Sequence, residues 1–290
     1  MFRTARSKVA HAALGLVVAA GVGAASLAAG PIGPGPAFAD PSPSASPAVG
    51  VAVTTSGQGF WVVSADGSIG TEGDAVAYGQ PRAPAHPVVA IAATADAKGY
   101  WEVGVDGGVF SFGDAVFRGS TGAIHLNQPI VGMAATPSGR GYWLVARDGG
   151  IFAFGDAAFK GSTGAIHLNE PIVGMAATPS GGGYWLVASD GGIFAFGDAT
   201  FKGSAAGSHL SRPIVGMART PDGGGYWFVA ADGGIFPFGD AVLEDSLIVA
   251  SGDSPVIGIA ATPSGNGYVV AHQASNVVDS FGDAPSPPSS

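Results

Sequence analysis

Five tyrosines, Tyr100, Tyr142, Tyr184, Tyr226 and Tyr268, stand 42 residues apart along the chain. So strict a spacing makes the chain an array of one small unit, and every residue must be read as one copy of a repeated position. Phe60 takes the same slot 40 residues before Tyr100, so six copies fit between Val49 and Ala284. The third and fourth copies, opening at Met133 and Met175 with Met-Ala-Ala-Thr-Pro-Ser-Gly, are nearly identical.

In the fourth copy, Ile172 to Thr178 is an apolar run closed by Pro179-Ser180-Gly181-Gly182-Gly183, and Tyr184 to Ser189 is a second run rich in aromatic and branched residues. These read as two strands joined by a Gly-rich hairpin. Asp190-Gly191-Gly192 is a tight-turn signal, because Gly accepts positive φ and the Asp side chain bonds the backbone of its own turn. Ile193 to Phe196 makes a third strand, with Phe194 and Phe196 on one face. Gly197-Asp198-Ala199 then turns the chain into a short fourth segment around Phe201. Four short antiparallel strands per unit predict an all-β fold, a β-propeller of about six four-stranded blades. Tyr184-Trp185-Leu186-Val187-Ala188 is apolar without alternation, as a strand covered on both faces by neighbouring blades requires. An open β-solenoid of hairpin repeats is the alternative. Val269, standing where the other units have Trp, and the missing fourth segment after Asp283 keep it open.

Outside the repeats, Arg3, Arg6 and Lys8 precede an uncharged apolar run from Ala12 to Gly30, and Ala37-Phe38-Ala39 offers small residues for a signal peptidase. Residues 1–39 therefore read as a signal peptide cleaved after Ala39. A Pro/Ser linker is expected over 40–48, the repeat domain over 49–284 and a Pro/Ser tail over 285–290. No other segment is long and apolar enough to predict a membrane span. The mature chain is expected to be secreted, extracellular or bound to the cell wall, and it has no cysteine with which to form disulfides. Loss of the signal leaves nine Lys/Arg against 21 Asp/Glu, a net of −12, which argues against a nucleic-acid partner. Charged residues are only 11% of the chain, against about 25% in an average soluble domain. A surface built from Gly, Ser, Thr, Asn and backbone suits a neutral, hydroxyl-rich partner.

Two acidic positions recur. Asp66, Asp106, Asp148, Asp190 and Asp232 precede Gly, while Asp74, Asp114, Asp156, Asp198, Asp240 and Asp283 follow it. Repetition in each unit assigns them to structural turns rather than to metal ligation. His125, His167 and His209 also keep the 42-residue register, with Asn127, Asn169 and Ser211 two residues on, all in the connection to the next unit. In a propeller this connection shares a rim with the Asp-Gly turn. An imidazole beside a carboxamide and the hydroxyls of Ser162 and Thr163 can hydrogen-bond a sugar there, or can simply cap its own loop. One His per unit is too sparse for zinc. Trp61, Trp101, Trp143, Trp185 and Trp227 lie mid-strand and read as core, whereas Phe117, Phe159 and Phe201 are the candidates for partly exposed rings.

Catalysis needs residues that break the repeat. The innermost strands, from Val51–Thr54 to Ile259–Thr262, carry no carboxylate, no His and one charge, Arg219, so a channel lined by Ala and Thr holds no general acid or base. Nucleophile-elbow, P-loop and dinucleotide motifs are absent. Glu244-Asp245 is the one irregular acidic pair. The chain is read as no enzyme, with no cofactor.

The block Gly183-Tyr-Trp-Leu-Val-Ala-Ser-Asp-Gly-Gly-Ile-Phe-Ala-Phe-Gly-Asp-Ala199 resembles a repeat of secreted actinobacterial proteins that is often appended to cell-wall hydrolases. The resemblance, which covers Val49 to Ala284, implies a cell-surface attachment module. The hairpin is also similar to the Tyr/Trp and Asp-Gly units of choline-binding repeats, which are about half as long. Small propeller lectins are the nearest functional analogy. The expectation is a non-catalytic binding module for cell-surface or cell-wall glycan, acting through repeated loop sites. A scaffold for an exported protein partner is the alternative, and a glycan-active hydrolase a third reading.

Overall fold

The structure, a computed structural model, describes residues 46–246, 254–274 and 277–285. The expected signal peptide and cleavage site, most of the expected linker and the tail beyond Pro285 lie outside the described residues. Those described form six three-stranded antiparallel sheets and no helix. The sheets begin at Ala48, Val88, Ile130, Ile172, Ile214 and Val256, and in each the strands are paired in chain order. The third sheet is representative, with a first strand Ile130–Ala135, a middle strand Gly141–Ala146 and an outer strand Ile151–Gly155. Every first strand carries a register shift near its second residue, as between Ile130 and Gly132.

Each middle strand is buried throughout, which accounts for its almost wholly apolar sequence, Glu102 in the second sheet being the charged exception. Alternate residues face opposite neighbours: Tyr142, Leu144 and Ala146 pack on Trp101 and Val103 of the preceding sheet, while Trp143 and Val145 meet Tyr184 and Leu186 of the next. The first strands also touch one another in sequence, and that of the first sheet touches that of the last. One main-chain bond recurs at each junction. Val88, Ile130, Ile172, Ile214 and Val256 donate their N–H to the carbonyls of Ala65, Val105, Arg147, Ser189 and Ala231, and Ala48 donates to Gln273 of the last sheet at 2.9 Å. The series of contacts thus returns to its start.

The expected fourth strand is replaced by an unpaired strap. In the third unit it runs outside the outer strand, and side chains take up the backbone groups that a ladder would use. The Trp143 indole crosses the small Ala153 opposite it to donate to the Ala158 carbonyl at 2.9 Å. From the next sheet, the Tyr184 hydroxyl accepts from the Lys160 N–H at 3.0 Å and donates to the Gly161 carbonyl at 2.6 Å. Gly161, with φ near +135°, lies on the ring of Phe196, where a Cβ would come within 2.4 Å. Burial raises the phenol pKa of Tyr184, which keeps a hydroxyl that must both donate and accept in its neutral form.

At one end of each sheet the hairpin is pinned to the turn that follows the outer strand. Thr136 Oγ1 donates to Asp156 Oδ1 at 2.9 Å and Ser138 Oγ to Oδ2 at 2.5 Å, and the same Thr–Asp bond recurs in all six sheets. These threonines are buried, so they do not line a channel between the first strands.

Candidate functional site

At the opposite end, each of the first four connections lies against the Asp-Gly turn of its own unit. Between the second and third sheets the loop starts at Thr121, whose hydroxyl donates to the Asp106 carbonyl at 3.1 Å. It closes a turn from Ile124 N–H to the Thr121 carbonyl and ends at Pro129, whose carbonyl accepts from Arg147. Between these ties lie His125, Leu126 and Asn127. Leu126 turns inward onto the Trp101 and Tyr142 cluster, which turns His125 and Asn127 out. Leu168 and Leu210 hold His167 with Asn169, and His209 with Ser211, in the same exposed attitude.

A groove of about 340 Å³ opens beside this loop. His125, Asn127 and Gln128 form one wall, Asp106 and His86 the other, and Val105 and Ile124 supply apolar surface. Asp106 is steadied by the Gly108 N–H, which donates to Oδ1 at 3.0 Å. The structure therefore brings His125, Asn127 and Asp106 together and adds His86, which comes from the preceding connection. His86 stands in the register of Gln128 rather than of the repeated His125, so the histidine periodicity could not find it.

The remaining candidates divide. His167, Asn169 and His209 are exposed in their own loops and Ser162 is half-buried. Thr163 is buried, with its hydroxyl donating to the Asp148 carbonyl at 2.9 Å, so it holds its loop and is not at the surface. Asp148, Asp190 and Asp232 each accept from the second Gly N–H of their turn, at 2.8–3.2 Å. Asp114, Asp156, Asp198 and Asp240 accept from Thr94, Thr136, Thr178 and Thr220. The Ser138 and Ser180 hydroxyls, with the threonines, hold the Asp156 and Asp198 carboxyls below the usual range. Glu244 and Asp245 fall in the strap of the fifth unit, where Asp245 takes the Tyr268 hydroxyl on its main chain.

Phe117, Phe159 and Phe201 are more than half exposed on successive straps, as are Ile124 and Ile166 in the loops. Among the described residues no group of three or more His, Asp or Glu could hold a metal ion, and no helix is long and apolar enough to cross a membrane. No protein-family model matches the chain, and neither does any curated protein with which it was compared. Two buried polar arrangements have no counterpart in the repeat. His272, in the last sheet, has Nδ1 2.8 Å from the Ser254 carbonyl and Nε2 2.6 Å from Asp279 Oδ2. Glu102 lies in the second sheet with neither carboxyl oxygen hydrogen-bonded.

Proposed function

We propose that this chain is a six-bladed β-propeller with three strands per blade, exported as a non-catalytic module that holds neutral glycan of the cell surface or wall. The cyclic contacts of the first strands and the Ala48–Gln273 bond support the propeller reading. The observation that carries the binding reading is the groove in which imidazole, carboxamide and carboxylate side chains converge beside the apolar Val105 and Ile124. Such a set hydrogen-bonds hydroxyls while its apolar wall takes the C–H face of a sugar ring. The groove is shallow, so retention comes from avidity over the repeated loops rather than from one tight pocket. The export signal at 1–39 and the charge-poor surface fit a partner outside the cell that is not a polyanion.

Incubation of the mature chain with purified cell walls and a panel of soluble glycans tests this. Retention on walls, lost on joint substitution of His125, His167 and His209 by Ala, is the expected result. Absence of retention on every wall and glycan sinks the reading, and retention unaffected by the triple substitution moves the site away from the loops. The exposed Phe117, Phe159 and Phe201 favour the second reading, a scaffold for an exported protein. A stoichiometric partner recovered from culture supernatant, and lost on changing the three rings to Ser, would favour it over glycan.

A further inference from the structure

Glu102 occupies a middle-strand position held by Val62, Leu144, Leu186, Phe228 and Val270 in the other five sheets. It is fully buried, and neither Oε1 nor Oε2 has a hydrogen-bond partner. Its equivalents Leu144 and Leu186 pack on the preceding sheet, which sets Glu102 against the first sheet. There Oε2 lies under the Asp66-Gly67 turn. A Cβ placed on Gly67 would be 3.2 Å from Oε2 and 2.2 Å from Cγ of Pro81, so turn, proline and carboxyl are packed in contact.

The cover over this carboxyl is weaker than at later junctions. Against Gly107 and Gly149 sit Thr121 and Thr163, whose hydroxyls tie the connection to the carbonyls of Asp106 and Asp148. Against Gly67 sits Pro81, which has no donor for such a tie. Two residues on, Ala83 has φ near +50°, a left-handed conformation that a residue with a Cβ adopts at a cost. The connection 80–87 also walls a cleft of about 550 Å³ with Asp66 and Ser68, and its His86 lines the neighbouring groove as well.

An unpaired carboxylate in apolar surroundings is far costlier than the neutral acid. We propose that the Asp66-Gly67 turn and the connection 80–87 form a proton-operated cover, closed over Glu102 while it is protonated and opened to water when it ionises. The titratable groups facing Glu102 are Asp66 on the turn and Tyr100 on its own strand. Tyr78 from the first strap packs tilted against the Tyr100 ring, and Arg82 and His86 lie exposed on the connection. Burial, with the Asp66 charge second, pushes the Glu102 carboxyl up from 4.5 to about 8. The closed form holds a proton that the hydrated form gives up, so closure is strongest near pH 4.5 and weakens steadily as the pH rises towards 8. Opening carries His86 away from Asp106 and His125, whatever ligand that groove takes.

Hydrogen exchange of the full chain between pH 5 and pH 8.5, corrected for intrinsic rates, tests the cover. Protection of the Gly67 and Val88 amides should fall by up to tenfold per pH unit, while Gly149 and Ile172 in the third sheet stay level. Both Glu102→Gln and Glu102→Leu should flatten the slope. A slope equal at the first and third sheets, or one that persists in either variant, overturns the proposal. Should Glu102→Gln not fold, Glu102→Leu, which restores the residue of the third and fourth sheets, and the comparison within the unmodified chain still decide it.

Discussion

Five of the junctions between sheets are built alike, and the one between the last sheet and the first is not. At the five, a Trp of one sheet meets a Tyr of the next with ring centroids 5.6–5.9 Å apart, and both rings reach the strap between them. Where last meets first, Val269 stands for the Trp and Phe60 for the Tyr, packed with Val62, Ala271 and Val278. Both substitutions fall at the same junction, and both replace a ring that elsewhere carries a polar end to the strap by a wholly apolar side chain. An indole N–H or phenol buried there without such a partner would cost about 1–3 kcal/mol. A departure that reads as decay along the sequence is, in space, one matched pair.

The comparison breaks first at the tryptophans. Trp143→Ala removes a fully buried ring and the bond to the Ala158 carbonyl, and should cost about 3–5 kcal/mol in chemical denaturation. Val269→Ala, in the matched apolar junction, should cost distinctly less; equal losses would mean that the strap bonds add nothing to the other five junctions. Next comes the junction between the first and second sheets, which holds Glu102 in place of an apolar residue. Glu102→Leu should stabilise the chain by about 1–4 kcal/mol at pH 8, with the gain shrinking towards pH 5, where the acid is neutral. A gain that does not depend on pH would assign the effect to packing alone.

Smaller effects separate the phenols. Tyr184→Phe leaves the Lys160 N–H and the Gly161 carbonyl without their shared partner and should cost about 1–2 kcal/mol. Phe60→Tyr, set among Val62, Val269 and Ala271, should bring no gain, and stabilisation by the added hydroxyl would show that it finds a partner there. The smallest change is at the pinned hairpins. Asp198 has its pKa lowered by Ser180 and Thr178, so its contribution is present above the ordinary carboxylate range and is lost as the pH falls through the lowered value. Ser180→Ala should therefore move the acid limb of a stability profile to higher pH, and an unmoved limb would show that this bond adds nothing measurable.

Most of the local structure was legible. The apolar runs, the Asp-Gly turns and the unbroken burial of Tyr184 to Ala188 follow from periodicity, because strand pairing within a unit depends on residues close in the chain. The strap was not legible. Ala157 to Gly161 reads as a fourth strand, and only the arrival of the Trp143 indole across Ala153 and of the Tyr184 phenol from the next sheet removes its backbone groups from pairing. Thr163 misled for a related reason, since its hydroxyl is spent on Asp148. His86 was missed because it joins the groove from the preceding connection, at a repeat position where no other unit has His.

The sequence by itself determined an array of six units, the strands and turns within each, and which residues had to be apolar. A 42-residue period and alternating turn chemistry are local properties, readable without coordinates. Tertiary structure decided that the strap is clamped rather than paired, that Val269 and Phe60 answer each other across more than 200 residues, and that Glu102 is sealed without a partner. Those outcomes depend on which side chain of one sheet reaches the backbone of another, and that is set by how the sheets pack rather than by any spacing along the chain.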